Sequence, residues 1–166
     1  MNTTSDDTMN TITSAVALGH EGRPDDARDA LLAVWASLGP QGDPLHRCTL
    51  AHYLADLYDD AAEALTWDIR ALDAADSLSD DRAQTYDGSL RVAAFYPSLH
   101  LNLADDYRRL GSFDAAQRQI DAARARVHTL AEDGYGATIR TAVDEVESAI
   151  QERRTERRAS APTGGR

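Results

Sequence analysis

The chain contains no lysine; all 17 of its basic side chains are arginine. It also has a single cysteine, and aromatic residues make up only 6% of its 166 positions. Each shortage excludes something. Cys48 alone cannot build an internal disulfide framework or a cysteine-rich zinc site, and it fits a reducing, cytoplasmic setting. With few aromatics and a hydrophobic content of 42%, the core must come mainly from Ala and Leu, residues that favour helix. No apolar run approaches the length of a membrane span, and residues 1–10 are polar, without the basic region or apolar stretch of a leader, so no membrane partner is expected. The arginines face 28 acids, mostly aspartate, for a formal net charge of −11. An acidic surface disfavours phosphate backbones and anionic membranes as main partners. The Ala, Arg, Asp and Gly bias is the one that the codons of a high-GC genome produce.

What remains is helix punctuation. Residues 1–7 and the Arg/Ser/Pro/Gly-rich stretch 157–166 are expected to be disordered, flanking one helical domain over 8–150. A first helix over 8–20 ends at Gly22. Pro24 then takes a first helical position with Asp25 and Asp26 in the first turn, and Leu31, Val34, Trp35 and Leu38 follow until Gly39-Pro40. Asp43-Pro44 opens a helix whose buried face is Leu50, Leu54 and Leu57, with Tyr53 and Tyr58 beside it. A short turn at Asp59-Asp60 leads into 61–76, with Ala64, Leu65, Ile69 and Leu72 as its apolar stripe; so short a turn makes the two helices antiparallel neighbours. Ser79-Asp80-Asp81 starts about two turns ending at Asp87-Gly88. Leu90, Val92, Ala94 and Tyr96 alternate as in a strand. An isolated strand has nothing to pair with, so a helix restarted at Pro97 is preferred. Leu99, Leu103, Tyr107 and Leu110 continue to Gly111, and Phe113, Ala116, Ile120, Ala123, Val127 and Leu130 define the next helix. The segment 133–136 reads as a turn. Ile139, Val143, Val146 and Ile150 mark a last helix over 137–156, polar all round and fraying after 151.

Within 97–130, Leu103-Ala104, Tyr107, Leu110-Gly111, Phe113, Ala116, Ile120 and Ala123 form a large-plus-small pair, an aromatic, a turn glycine and spaced alanines. This pattern resembles the signature of the tetratricopeptide repeat (TPR) family. A degraded copy covers 44–76 (Leu50-Ala51, Leu54, Leu57, then Ala64-Leu65, Trp67, Ala71-Leu72). A third covers 8–41, clearest at Gly22, Ala27, Leu31 and Val34. Ala27 to Ala64 spans 37 residues, near the TPR period, whereas Ala64 to Ala116 spans 52, which places an insertion at 77–96. The insertion is an extra helix or a lengthened one, and it either decorates a binding face or is a neutral loop. The resemblance implies a small bacterial all-α protein: a TPR-like alpha-alpha superhelix of about three helix pairs, capped by the last helix.

It also implies a site. TPR arrays bind peptides on the concave face lined by the first helix of each pair. Here that face would carry Thr13 and His20, then Thr49, His52 and Asp56, then Asn102, Asp105 and Arg109. His52–Asp56 and Asp105–Arg109 are spaced to pair along their helices. Without lysine the carboxylate clamp of some TPR proteins is incomplete, leaving Asn102 and Arg109; an acidic rim favours a basic or apolar protein segment. The expected function is therefore non-catalytic protein–protein interaction, with a dimerising or sensory TPR protein as the alternative, hence a homo-oligomer, and an enzyme as a remote one. No cofactor or metal is expected: His46, His52 and His100 with Asp56 match no zinc spacing, and Cys48 lacks an elbow or oxyanion loop. Gly134-Tyr135-Gly136 has neither the strand nor the lysine of a phosphate loop. The arginines at 153, 154, 157, 158 and 166 make the tail basic. Nucleic acid is disfavoured by the acidic remainder, docking on the acidic body is open, and a solvated helix end is the ordinary reading.

Overall fold

The first amides of a helix have no partner within it, and every described helix but the one that opens at Phe113 begins where a side chain or a proline answers that deficit. In the computed structural model, which describes residues 6–161, Asp6 accepts from Met9 N at 2.9 Å and opens α1 (Asp7–His20). Pro24 heads α2 (Pro24–Leu38). Asp43 and Pro44 together start α3 (Pro44–Asp56), and Asp60 caps α4 (Ala61–Asp76) by accepting from Ala62 and Glu63. Ser79 caps α5 (Asp80–Tyr86). The chain then runs through α6 (Tyr96–Arg109), α7 (Phe113–Arg124) and α8 (Gly134–Gln151). Gly22 and Gly111 follow α1 and α6 with φ of 81° and 74°, a region that favours residues without a Cβ. Among the described residues the chain is all-helical, with eight α-helices, two 3₁₀ turns and no strand, and no helix is long and apolar enough to cross a membrane.

Neighbouring helices pair as α1 with α2, α3 with α4 and α6 with α7. Between the last two pairs α4 packs on α6, and α8 lies against both α6 and α7. Two apolar clusters result. One joins α1 to α5 around Ile12, Leu31, Leu50 and Leu54; the other joins α6, α7 and α8 around Ala104, Ile120 and Val143. Small residues let the helices approach closely: Ala64, Ala71, Ala74 and Ala75 of α4, Ala104 of α6 and Ala116 and Ala123 of α7 are all buried. Trp35 and Trp67 meet edge to face with centroids 5.1 Å apart, linking α2 to α4.

Residues 77–96 fold as an extra helix. Leu78, Ala83 and Val92 enter the first core, and Arg82 reaches Asp43 at 2.6 Å and Asp6 at 3.2 Å. His46 of α3 completes this cluster at 2.8 Å from Asp6. The segment 90–96 forms neither a strand nor a continuous helix. It is a 3₁₀ turn (Val92–Ala94) whose Val92 N–H is held by Asp80 Oδ1 at 2.8 Å.

Other boundaries also differ from expectation. Asp6 and Asp7 belong to the folded body, while residues 1–5 lie outside the described ones. The helix expected to reach 130 stops at Arg124; Val127–Thr129 is a 3₁₀ turn, tied to the insertion by Thr129 Oγ1 donating to Ala93 O at 3.1 Å. The expected turn at 133–136 is the first turn of α8, because Asp133 accepts from Gly136 N at 2.8 Å and caps it. The α4 stripe is rotated. Ala64, Trp67, Asp68 and Ala71 face inward, whereas Ile69 is 47% exposed, because α4 is wedged between α3 and α6 and presents its small residues to them. Leu110 and Tyr53 are likewise exposed.

That rotation sets two isoleucines apart. Ile120→Ala, at a fully buried position, is expected to cost about 2–5 kcal/mol in urea denaturation, and Ile69→Ala about 0.5 kcal/mol or less. Equal losses would show that the α4 face is wrongly assigned.

Candidate functional site

Helices α3, α6 and α8 enclose an open cleft of 510 Å³. His52 and Asp56 reach it from α3, Leu101 and Asn102 from α6, and Ile139, Ala142 and Glu145 from α8. Its exposed lining is mainly apolar, with a few polar groups among it. That make-up is common in sites that hold another molecule by area and orient it with a few hydrogen bonds. Tyr135 of α8 also lines it, and two more exposed tyrosines, Tyr53 of α3 and Tyr86 of α5, stand near Tyr135. They are close enough that Tyr86 and Tyr135 act on Tyr53 electrostatically; burial, then these neighbours and Asp56, push its hydroxyl pKa up.

Beneath the cleft lies a polar cluster between α4 and α6. Asp68 and Asp106 are 2% and 6% exposed and share a side-chain hydrogen bond. Asn102 Nδ2 donates to Asp68 Oδ1 at 3.3 Å and sits 3.4 Å from His52 Nδ1. Burial raises the pKa of both acids, that of Asp68 well above the usual carboxylate range and that of Asp106 to about 7. The two carboxyls face each other, so they hold a proton between them where a separate carboxyl would have lost it. Asp106 Oδ2 is buried and no N–H or hydroxyl reaches it. It borders a 40 Å³ pocket shared with Asp56, Asp105 and Arg158.

The far end of the cleft is covered by the C-terminal segment. After Gln151 the backbone reverses at Arg153, whose φ is 53°. The wholly buried Arg108 of α6 catches the returning chain. Its guanidinium donates to Asp105 Oδ1 at 2.7 and 3.0 Å, to Arg154 O at 2.6 Å and to Glu156 O at 2.9 Å. Arg157 reaches Asp59 at 2.5 Å, and Arg158 reaches Glu145 at 2.8 Å. The tail expected to be disordered from 157 is thus seated against the body through 161, because acids on three elements meet its arginines; residues 162–166 lie outside the described ones.

The eight residues carried by the resemblance divide. His52, Asp56, Asn102, Asp105 and Arg109 border the cleft or the pocket beneath it. Thr13 and His20 are exposed on α1 and border neither, Thr13 bonding only to Asn10 O of its own helix. Thr49 is half-buried on α3 and also borders neither. The expected Asp105–Arg109 pair is not made: Asp105 serves Arg108 and Arg158, and Arg109 donates to Asp59 O at 2.5 Å. Asp68, Asp106 and Arg108 escape a reading that places charge on the surface. Their one signal in the sequence is position, since Asp68 falls on the line Ala64–Ala71 and Asp106 three residues after Leu103.

Cys48 sits in the first core, where burial pushes its thiol pKa up to about 12. His100 is half-buried and bonds Gln119 at 2.7 Å. Among the described residues no three His, Cys, Asp or Glu side chains converge as a metal-binding group. Comparison with protein-family models, with curated proteins and with solved structures finds no match.

The buried acids make stability depend on pH. Their folded pKa values exceed the unfolded ones, so the folded chain keeps a proton that the unfolded chain releases near pH 4. The stability that the pair contributes is therefore full below about pH 4 and is lost as pH rises through about 7, by up to about 1.4 kcal/mol per pH unit for each such proton. Asp68→Asn keeps an oxygen for Asn102 and offers an N–H to Asp106. Thermal melts at pH 5 and pH 8 are expected to show a smaller loss for this variant than for wild type; the same loss in both would remove the pair as the cause.

Proposed function

We propose that this chain is a non-catalytic interaction module of TPR type, which works in the cytoplasm and holds a protein segment in the cleft between α3, α6 and α8. The succession of helix pairs, each stacked on the next, supports reading the fold as a TPR-like superhelix with α8 as its cap. One observation carries the function: the cleft is lined by the first helices of two successive pairs and by the cap, with a mainly apolar surface, a few polar groups and the exposed Tyr135. Tyrosine is enriched at interface hot spots because it buries area while keeping a hydrogen-bonding tip. The segment is a peptide or a helix whose apolar side chains meet Leu101, Ile139 and Ala142.

Thr138 and Thr141 line the cleft from exposed positions on α8, so arginine there blocks it without entering the core. Peptide display against wild type is expected to select sequences whose affinity falls about tenfold or more for Thr138→Arg/Thr141→Arg, the loss of one hot spot. Selected peptides that bind the double variant as well as wild type would refute the cleft as the site.

A further inference from the structure

The C-terminal segment is held as a ligand would be. Arg108 fixes its backbone at Arg154 and Glu156. Arg158 then turns inward, its side chain 13% exposed, with Nη1 on Glu145 Oε2 at 2.8 Å and Nε facing Asp105 Oδ2 at 3.5 Å. Ser160 Oγ donates to the same Glu145 oxygen at 2.6 Å. Arg157 takes Asp59 on the other side. Backbone capture by buried donors, arginines on acids from separate elements and a hydroxyl beside them are the components of peptide recognition.

The fit is incomplete. Arg158 Nε is buried yet makes no hydrogen bond, and Asp106 Oδ2, at the floor of the same pocket, meets no donor. A buried polar atom without a hydrogen bond costs stability, so an occupant that brings a donor to Asp106 Oδ2 and leaves none of its own buried donors unmet binds better than the resident segment. The rest of the cleft, from Leu101 to Tyr135, is lined by residues outside the segment, with Ile139 and Ala142 between them.

We propose that residues 154–161 are an intramolecular occupant of the acidic end of the cleft, displaced by a partner peptide that carries paired arginines in the places of Arg157 and Arg158. This rests on the cleft being a peptide site. The partner's arginines take Asp59, Asp105 and Glu145, and its neighbouring apolar residues continue along α8 toward Tyr135. The segment lowers affinity for every competitor by the fraction of time it is seated and so selects for peptides with the matching charge.

The probe is a fluorescein-labelled peptide of residues 154–161, Arg-Thr-Glu-Arg-Arg-Ala-Ser-Ala, read by anisotropy against the full chain. Arg157→Glu/Arg158→Glu unseats the resident segment and is expected to bind the probe about tenfold or more tighter than wild type. Adding Glu145→Arg is expected to abolish that gain, as is a probe with both central arginines replaced by glutamine. No gain in the unseated chain, or equal binding of the glutamine probe, overturns the proposal. Trypsin gives a second readout that does not depend on the unseated chain folding. Cleavage after Arg157 and Arg158 should be slow in wild type and faster in Asp59→Asn/Glu145→Gln; equal rates overturn the seated segment. Displayed peptides that need the Thr138 face but no arginine sink this inference and leave the cleft standing. Peptides of every sequence that ignore that face sink the cleft itself.

Discussion

A guanidinium sealed from water must find acceptors within the protein, and Arg108 is such a group. Its stem lies within α6, and its neighbour Asp105 satisfies only part of a donor set of five. Two of the remaining three donors are met by main-chain carbonyls of residues 154 and 156, nearly fifty residues along the chain. The demand bends the C-terminal chain back across the body after α8. That path brings Arg157 and Arg158 to the acids of α6, α8 and the α3–α4 turn, and shuts one end of the cleft. An uncompensated buried charge costs several kcal/mol, so the path of the tail is coupled to the integrity of α6.

The second constraint is distance. Alanines on α4, α6 and α7 bring the backbones close enough that a side chain between α4 and α6 has no route to solvent. Asp68 and Asp106 occupy that space, and their answer is to share a proton rather than to ionise separately. The pair is linked through Asn102 to His52 and so places a polar network beside the mainly apolar surface of the cleft. Polar groups in such a place set the register of whatever lies on them more than they add to affinity.

Helix starts were legible because their physics is local. Pro24 and Pro44 sit at first positions, and Asp43, Asp60 and Ser79 accept amides within three residues of themselves. Gly111 ends α6 for the same local reason, a positive φ. The misreadings share the opposite property. Gly134 and Gly136 look like a turn until Asp133 caps them, and Val127 and Leu130 keep helical spacing although the chain has left the helix to meet Ala93. Ile69 lies on the more hydrophobic face of α4, yet the neighbours on both sides select the alanine face instead. Of the residues around the cleft and the pocket beneath it, His52, Asp56, Asn102, Asp105 and Arg109 were named through the resemblance, while Asp68, Asp106 and Arg108 were not, since charge pattern alone places them outside.

The sequence by itself determined that the chain is helical, where most helices begin, and which residues are small enough to let them pack. These follow from backbone conformation and from hydrogen bonds a few residues long. Only the tertiary structure decided which face of α4 turns inward, that two acids and one arginine are buried, and that the tail closes one end of the cleft. Those outcomes depend on partners in other elements of the fold, and whether a charged group meets an acceptor or water is settled by which helices surround it.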